Sequence, residues 1–274
     1  MLNLILAIAS SALVAVMMRA SERHGKGRTA MLAVNYMICT GLAACFTTLG
    51  QAEGVGTAVL LGAVSGVLYL GSFLMLQWCV GRSGVIMSST FMKLGVLVSA
   101  LMSVVFFGET PRVTQLLGLV LTVAAITMMN LSKGASRVTG LGGLVLLMVC
   151  GGITDGMSKV YEQLGAPEWQ GVFLLVTFAV ALVLCVGLTA LRHEKPTKYD
   201  LMDGALIGIP NYFSALFLLQ ALDTVPAVVA FPTYSVATIA VVSLVGVAAF
   251  RERLTARQWT AMGVIAAALV LLNV

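Results

Sequence analysis

Charge is scarce in this chain: Asp, Glu, Lys and Arg make up 10% of its 274 residues, against 59% hydrophobic side chains and a mean hydropathy of +1.02. Soluble domains carry about a quarter charged residues, so a soluble globular fold is excluded and the chain belongs in lipid. Long polar stretches are missing too. About ten spans of roughly 20 residues with short connections use up the length and leave no room for a soluble domain. Histidine occurs only at His24 and His193, both in loops, so catalytic groups gathered at one depth of the membrane are not in view. The five cysteines, Cys39, Cys45, Cys79, Cys150 and Cys185, show neither CxxC nor Cys/His spacing. Neither a metal site nor a disulfide framework is indicated, and packing is their expected use. No Walker motif or Gly-rich phosphate loop is present, which argues against direct use of ATP; no enzyme activity and no cofactor are expected.

What the chain does have is a duplication. Shifting it by 143 positions lays residues 69–130 over 212–273 without a gap, with fourteen of the 62 pairs identical. Among the matches are Tyr69/Tyr212, Gln77/Gln220, Thr90/Thr233, Glu109/Glu252, Gln115/Gln258 and Asn130/Asn273, which apolar composition alone would not align. Apolar runs bounded by Gly, Pro or charge predict helices near 2–19, 29–49, 55–80, 84–107 and 112–131, then 140–161, 168–191, 200–222, 226–250 and 256–273. The expectation is therefore an all-α integral membrane protein with ten transmembrane helices, arranged as two five-helix repeats, 1–131 and 140–274. Five spans is an odd number, so the second repeat is inverted relative to the first, as in many secondary transporters.

The few charges that exist are unevenly placed. Odd-numbered connections hold thirteen Lys and Arg, among them Arg19, Arg23, Lys26, Arg82, Lys133, Arg192, Lys195 and Arg253, whereas even-numbered ones hold Arg112 and Lys159. The positive-inside rule puts the odd loops in the cytoplasm and both termini outside. Basic residues follow the first apolar run and none precedes it, the reverse of a cleavable signal peptide. The net charge of +5 lies in these loops and not on an aromatic-bearing surface, so nucleic acid is not a partner. The expected partners are the bilayer and a small-molecule substrate, with monomer and homodimer both open.

The run from Gln220 through Asp223, Thr224, Pro226 and Pro232 to Phe250-Arg-Glu-Arg-Leu-Thr-Ala-Arg-Gln-Trp259 resembles the drug/metabolite transporter superfamily, in its EamA-type domains. Gly108-Glu109-Thr110-Pro111, followed by Gln115 and Gly118, places the same glutamate turn in the first repeat. The resemblance covers the whole chain. It implies a ten-helix transporter of small metabolites or amphipathic compounds in the cell membrane, of bacterial type, more often an exporter than an importer. A channel or a flippase of lipid or lipid-linked substrates on the same fold stays open. Many relatives carry their basic residues in the second and fourth loops, and this chain departs from them.

Lys93 lies about nine residues into the fourth span, where a cation costs at least about 2.5 to 3.5 kcal/mol and must face a cavity, a partner or backbone carbonyls. Its repeat mate is Val236, so the symmetry does not require it. Binding of a substrate carboxylate or phosphate competes with a structural ion pair as its role. Asp155 is the coupling candidate. Local pairing with Lys159, four residues on, is the plainer account, and its height in the sixth span places it nearer the outer face than Lys93. Tyr69, Tyr212 and Tyr234 are expected to shape the substrate pocket, with Asn211, Thr90 and Ser11 beside them, although interhelical hydrogen bonding is the default use of such side chains. Pro210, Pro226 and Pro232 are expected to interrupt the eighth and ninth helices or their ends. Glu109 and Glu252 read as turn stabilisers near Arg112, Arg251 and Arg253, and the glycines of the sixth span as packing.

Overall fold

The structure is a computed structural model that describes residues 1–21, 28–47, 54–130, 140–193, 196–251 and 254–274. Among the described residues the helices are α1 (Leu2–Ser21), α2 (Arg28–Phe46), α3 (Val55–Ser83), α4 (Val85–Leu94), α5 (Val96–Phe107), α6 (Val113–Asn130), α7 (Leu141–Leu164), α8 (Gln170–Leu191), α9 (Lys198–Leu222), α10 (Ala227–Phe250) and α11 (Ala256–Asn273). With α4 and α5 taken as one span, ten are long and apolar enough to cross a membrane. Helices keep backbone hydrogen bonds within the segment, as the bilayer interior demands.

Compactness does not follow the sequence halves. One compact unit comprises Met1–Leu70 with Val160–Ala221, the other Gly71–Lys159 with Leu222–Val274, so α3 and α7 each contribute to both. Within each unit, helices related by the duplication pack against each other. In the first unit α2 lies along α8: Arg192 at the end of α8 donates to Thr29 at the start of α2 (3.2 Å). At the other end of the pair, a Cβ on Gly171 would meet Thr47 Oγ1 at 2.7 Å. In the second unit Gly118 near the start of α6 abuts Leu272 near the end of α11, and Arg112 donates to the Val274 carbonyl (2.8 Å). Both pairs therefore run antiparallel. α6 and α11 are also 18 residues long each and start 143 positions apart, so the antiparallel packing is that of an inverted duplication.

Two breaks differ from the sequence reading. Pro210 and Pro232 lie inside α9 and α10, which run on through them, whereas Pro226 stands at a helix end as expected, at the N-cap of α10. The fourth span, expected to be continuous, is instead divided at Gly95, whose N–H bonds the Met92 carbonyl at 3.1 Å in a tighter, three-residue turn.

Candidate functional site

The division at Gly95 coincides with a backbone-to-backbone crossing. A Cβ on Gly95 would lie 2.8 Å from the Gly152 nitrogen and 3.0 Å from the Met148 carbonyl oxygen, and one on Gly152 would land on the Gly95 carbonyl. One turn further along, a Cβ on Gly156 would meet Met102 and approach Ser99 Cα. Gly152 and Gly156 thus form a small-xxx-small face on α7 that receives Gly95 and Ser99, the arrangement that lets membrane helices approach closely. Both contacts advance in the same chain direction, so α4/α5 and α7 are parallel here. Gly143, packed on Trp78, extends the packing face, whereas Gly142 has open space beside it.

This crossing fixes two charges. Lys93 is two residues before Gly95 and Asp155 three residues after Gly152, which at about 1.5 Å per residue separates them in depth by only about 7.5 Å. Asp155 lies beyond Lys93 in the direction both helices run, the order the sequence spacing also gives. Each is well inside its span, Lys93 about 12 Å from the start of α4 and Asp155 about 13 Å from the end of α7. Both side chains are exposed, and among the described residues neither has a hydrogen-bond or ion-pair partner. Asp155 lies eleven residues from Leu144, three helical turns, so the two share a stripe of α7. Leu144 is completely buried against Cys79, Met87 and Leu147, so this stripe of α7 packs inside the unit at Leu144 and is open at Asp155. Lys93 continues the α4 stripe of Ile86 and Ser89, at spacings of seven and four. Those two residues line a cavity of about 700 Å³ bounded also by the end of α6 and the start of α11.

Lys159 does not pair with Asp155 as the i, i+4 spacing suggests. Its Nζ lies 3.1 Å from Glu109 Oε1, and both side chains are largely buried. The Glu109 carboxylate also accepts the backbone N–H groups of Ala227 and Val228, each at 2.9 Å. These are the first residues of α10, whose N-cap position is Pro226. An anion there meets the unpaired N–H groups and the positive end of the helix dipole. Glu109 therefore caps α10 from another part of the chain and ties it to α7, a larger role than stabilising its own turn. Burial by itself raises the Glu109 pKa, but the Val228 and Ala227 N–H groups and the Lys159 ammonium together hold it below the ordinary value. Arg112, expected near Glu109, bonds the chain end instead. Glu252, the repeat counterpart of Glu109, lies outside the described residues, as do Arg253, His24, Arg23, Lys26, Lys133, Arg137 and Lys195.

The remaining predicted site residues divide between the units. In the first, Tyr69 packs edge-on and Tyr212 at a tilt against Phe178, each with ring centroids 6.3 Å away, and Tyr36 joins them at 6.4 Å from Tyr69. Tyr212 is 1% exposed and packs on Phe46 as well, whereas Tyr69 is half-buried. Asn211 donates to Asn35 Oδ1 at 3.3 Å, an interhelical bond between α9 and α2, and Ser11 is half-buried on α1. In the second unit Thr90 is buried and bonds the Ile86 carbonyl of its own helix (2.7 Å), and Tyr234 is half-buried on α10. Ser72 and Thr154 share a 2.7 Å hydroxyl bond that anchors α7 to α3 one residue before Asp155. Sequence reasoning missed Phe178, which carries no polar or repeat signal, and the Glu109–Lys159 tie. The repeat match of Glu109 was a signal for the latter, but it does not name a partner.

Comparison with known proteins agrees with this architecture. A protein of Haemophilus influenzae, described only as uncharacterized, is 23% identical over 204 residues, 71% of this chain and 68% of its own. A crystal structure of a protein superposes with a TM-score of 0.75 at 14% identity, covering 99% of this chain and 98% of that one, a likeness of fold. The sequence model of the EamA-like transporter family matches twice, over residues 1–131 and 138–274. With that model spanning both halves of a ten-helix, antiparallel duplication, the chain belongs to the EamA-like transporter family.

Proposed function

We propose that the protein is a secondary active transporter that moves a small polar or amphipathic metabolite by alternating access, outward across the cell membrane, with the odd-numbered connections in the cytoplasm. One observation carries the reading: Lys93 and Asp155 are exposed at mid-span with no partner among the described residues. A bare charge against hydrocarbon costs at least about 2.5 to 3.5 kcal/mol, so both sit where water enters the spans. Lys93 then supplies a cation for an anionic group of the substrate, and Asp155 an anion for a cationic group or a coupling ion. The close crossing at Gly95 and Gly152 keeps the two at fixed relative depth. The absence of acidic residues from α1 argues against a coupling carboxylate there.

Lys93→Met tests this in proteoliposomes. Removing an unpartnered charge relieves desolvation, so folding and thermal stability are retained while flux falls at least about tenfold, the loss of one charge-assisted contact of ~1.5 to 3 kcal/mol. A stable variant with normal flux would sink the assignment. The substrate is sought first by thermal shift of the purified protein against amino acids, purines, polyamines, choline-like cations and sugars. Saturable countertransport is expected, and flux that rises without saturating would make the protein a channel.

A further inference from the structure

We propose that Lys159 is the moving part of a gate: in this state it holds Glu109, and through Glu109 the start of α10, and it exchanges to Asp155 on its own helix when that end of the unit opens. The inference rests on the transport reading above and adds a device to it.

Glu109 makes three contacts at once, two with the N–H groups of Ala227 and Val228 and one with Lys159. Two of the three belong to α10 and only the third to α7. Glu109 therefore stays with α10 if the arrangement loosens, and the Lys159 contact is the one that can part. Lys159 has a second anion within reach on its own helix. Asp155 is four residues earlier, the spacing and the order, acid before base, that favour a pair on a helix. Here Asp155 is exposed and without a partner among the described residues. Exchange from Glu109 to Asp155 needs side-chain rotation only. The number of ion pairs is unchanged, so no buried cation is left uncompensated in either state. The consequence is mechanical, because α7 is released from α10 while Ser72 still anchors it near Thr154.

The same geometry couples the gate to cargo. A cationic group bound at Asp155 competes with Lys159 for the carboxylate and leaves Lys159 on Glu109, so that end stays shut while Asp155 is occupied. Once Asp155 is vacated, it can draw Lys159 away.

Hydrogen exchange at the start of α10 reads the gate through Glu109: the carboxylate stays with the Ala227 and Val228 amides in both states, but once Lys159 leaves, that helix end is no longer tied to α7 and its amides open and exchange faster. It is measured by mass spectrometry on the full chain in nanodiscs, without any substrate. Asp155→Asn removes the alternative partner and is expected to slow exchange in the peptide containing these amides by about 1.4- to 2.3-fold, the factor that corresponds to an i, i+4 pair. Asp155→Glu restores the wild-type rate, and Lys159→Met speeds exchange. Exchange in Asp155→Asn equal to wild type overturns the proposal and leaves Glu109 as a static cap, even if Lys159→Met fails to fold. Because no substrate enters, this failure is separate from that of the transport reading, which the Lys93→Met flux decides.

Discussion

Gly152 is the position where the smallest change meets the hardest obstacle. An alanine methyl there would be driven onto the Gly95 carbonyl and would lie 2.5 Å from Val98 Cβ. The crossing is tight from both sides, because a Cβ on Gly95 would in turn lie 2.8 Å from the Gly152 nitrogen and 3.0 Å from the Met148 carbonyl oxygen. Carbon contacts settle near 3.5 to 4 Å, so α7 and α4/α5 must separate by about 1 Å along a crossing that Gly156 and Ser99 continue. Overpacking of this kind costs about 1 to 3 kcal/mol. The control is Gly142→Ala on the same helix, where nothing lies within 4 Å of the new methyl; there the helix propensity of alanine over glycine gives a gain of up to about 1 kcal/mol. Thermal unfolding followed by fluorescence-detected size exclusion should therefore move down for Gly152→Ala and stay level or move up for Gly142→Ala. Flux should fall for the first variant only, because parting the crossing also displaces Lys93 and Asp155. Equal stability for the two variants would refute the claim that the crossing is backbone-limited.

Glu109→Gln keeps the shape but loses the charge, and should destabilise by about 1 to 3 kcal/mol in the same unfolding assay. The depressed Glu109 pKa makes a matching statement about pH: its contribution is fully present above the ordinary value of 4.5 and is lost as pH falls toward the lower folded value. Acid destabilisation below about pH 4.5 should thus be shallower in Glu109→Gln than in wild type, and parallel curves would count against the cap. For topology, a cysteine at the exposed His193 should resist an impermeant thiol reagent in intact cells, while one at the exposed Glu168 should react, both in a background without native cysteines; the reverse pattern inverts the orientation. Asn211→Leu, which breaks the bond to Asn35, should cost no more than about 1.7 kcal/mol in thermal unfolding.

The sequence by itself determined that the chain lives in a membrane, that it crosses ten times, and that its second half repeats the first upside down. Those are properties of local runs and of a fixed register, and hydropathy summed over about 20 residues reads them without knowledge of neighbours. It also singled out Lys93 and Asp155, because a charge inside an apolar run is anomalous on its face. The tertiary structure alone decided who meets whom. Lys159 sits four residues from Asp155 but pairs with Glu109, 50 positions away, since the cap it completes on α10 exists only once three separate stretches of chain converge. Gly95 resembles any other glycine in a span until Gly152 lies against it, and Tyr212, which shares its repeat signal with Tyr69, is buried while its mate is only half so. Helix crossings, and the partners and exposures they impose, depend on residues far apart in the chain, and in lipid, where apolarity no longer distinguishes inside from outside, the pattern of a single helix does not carry that information.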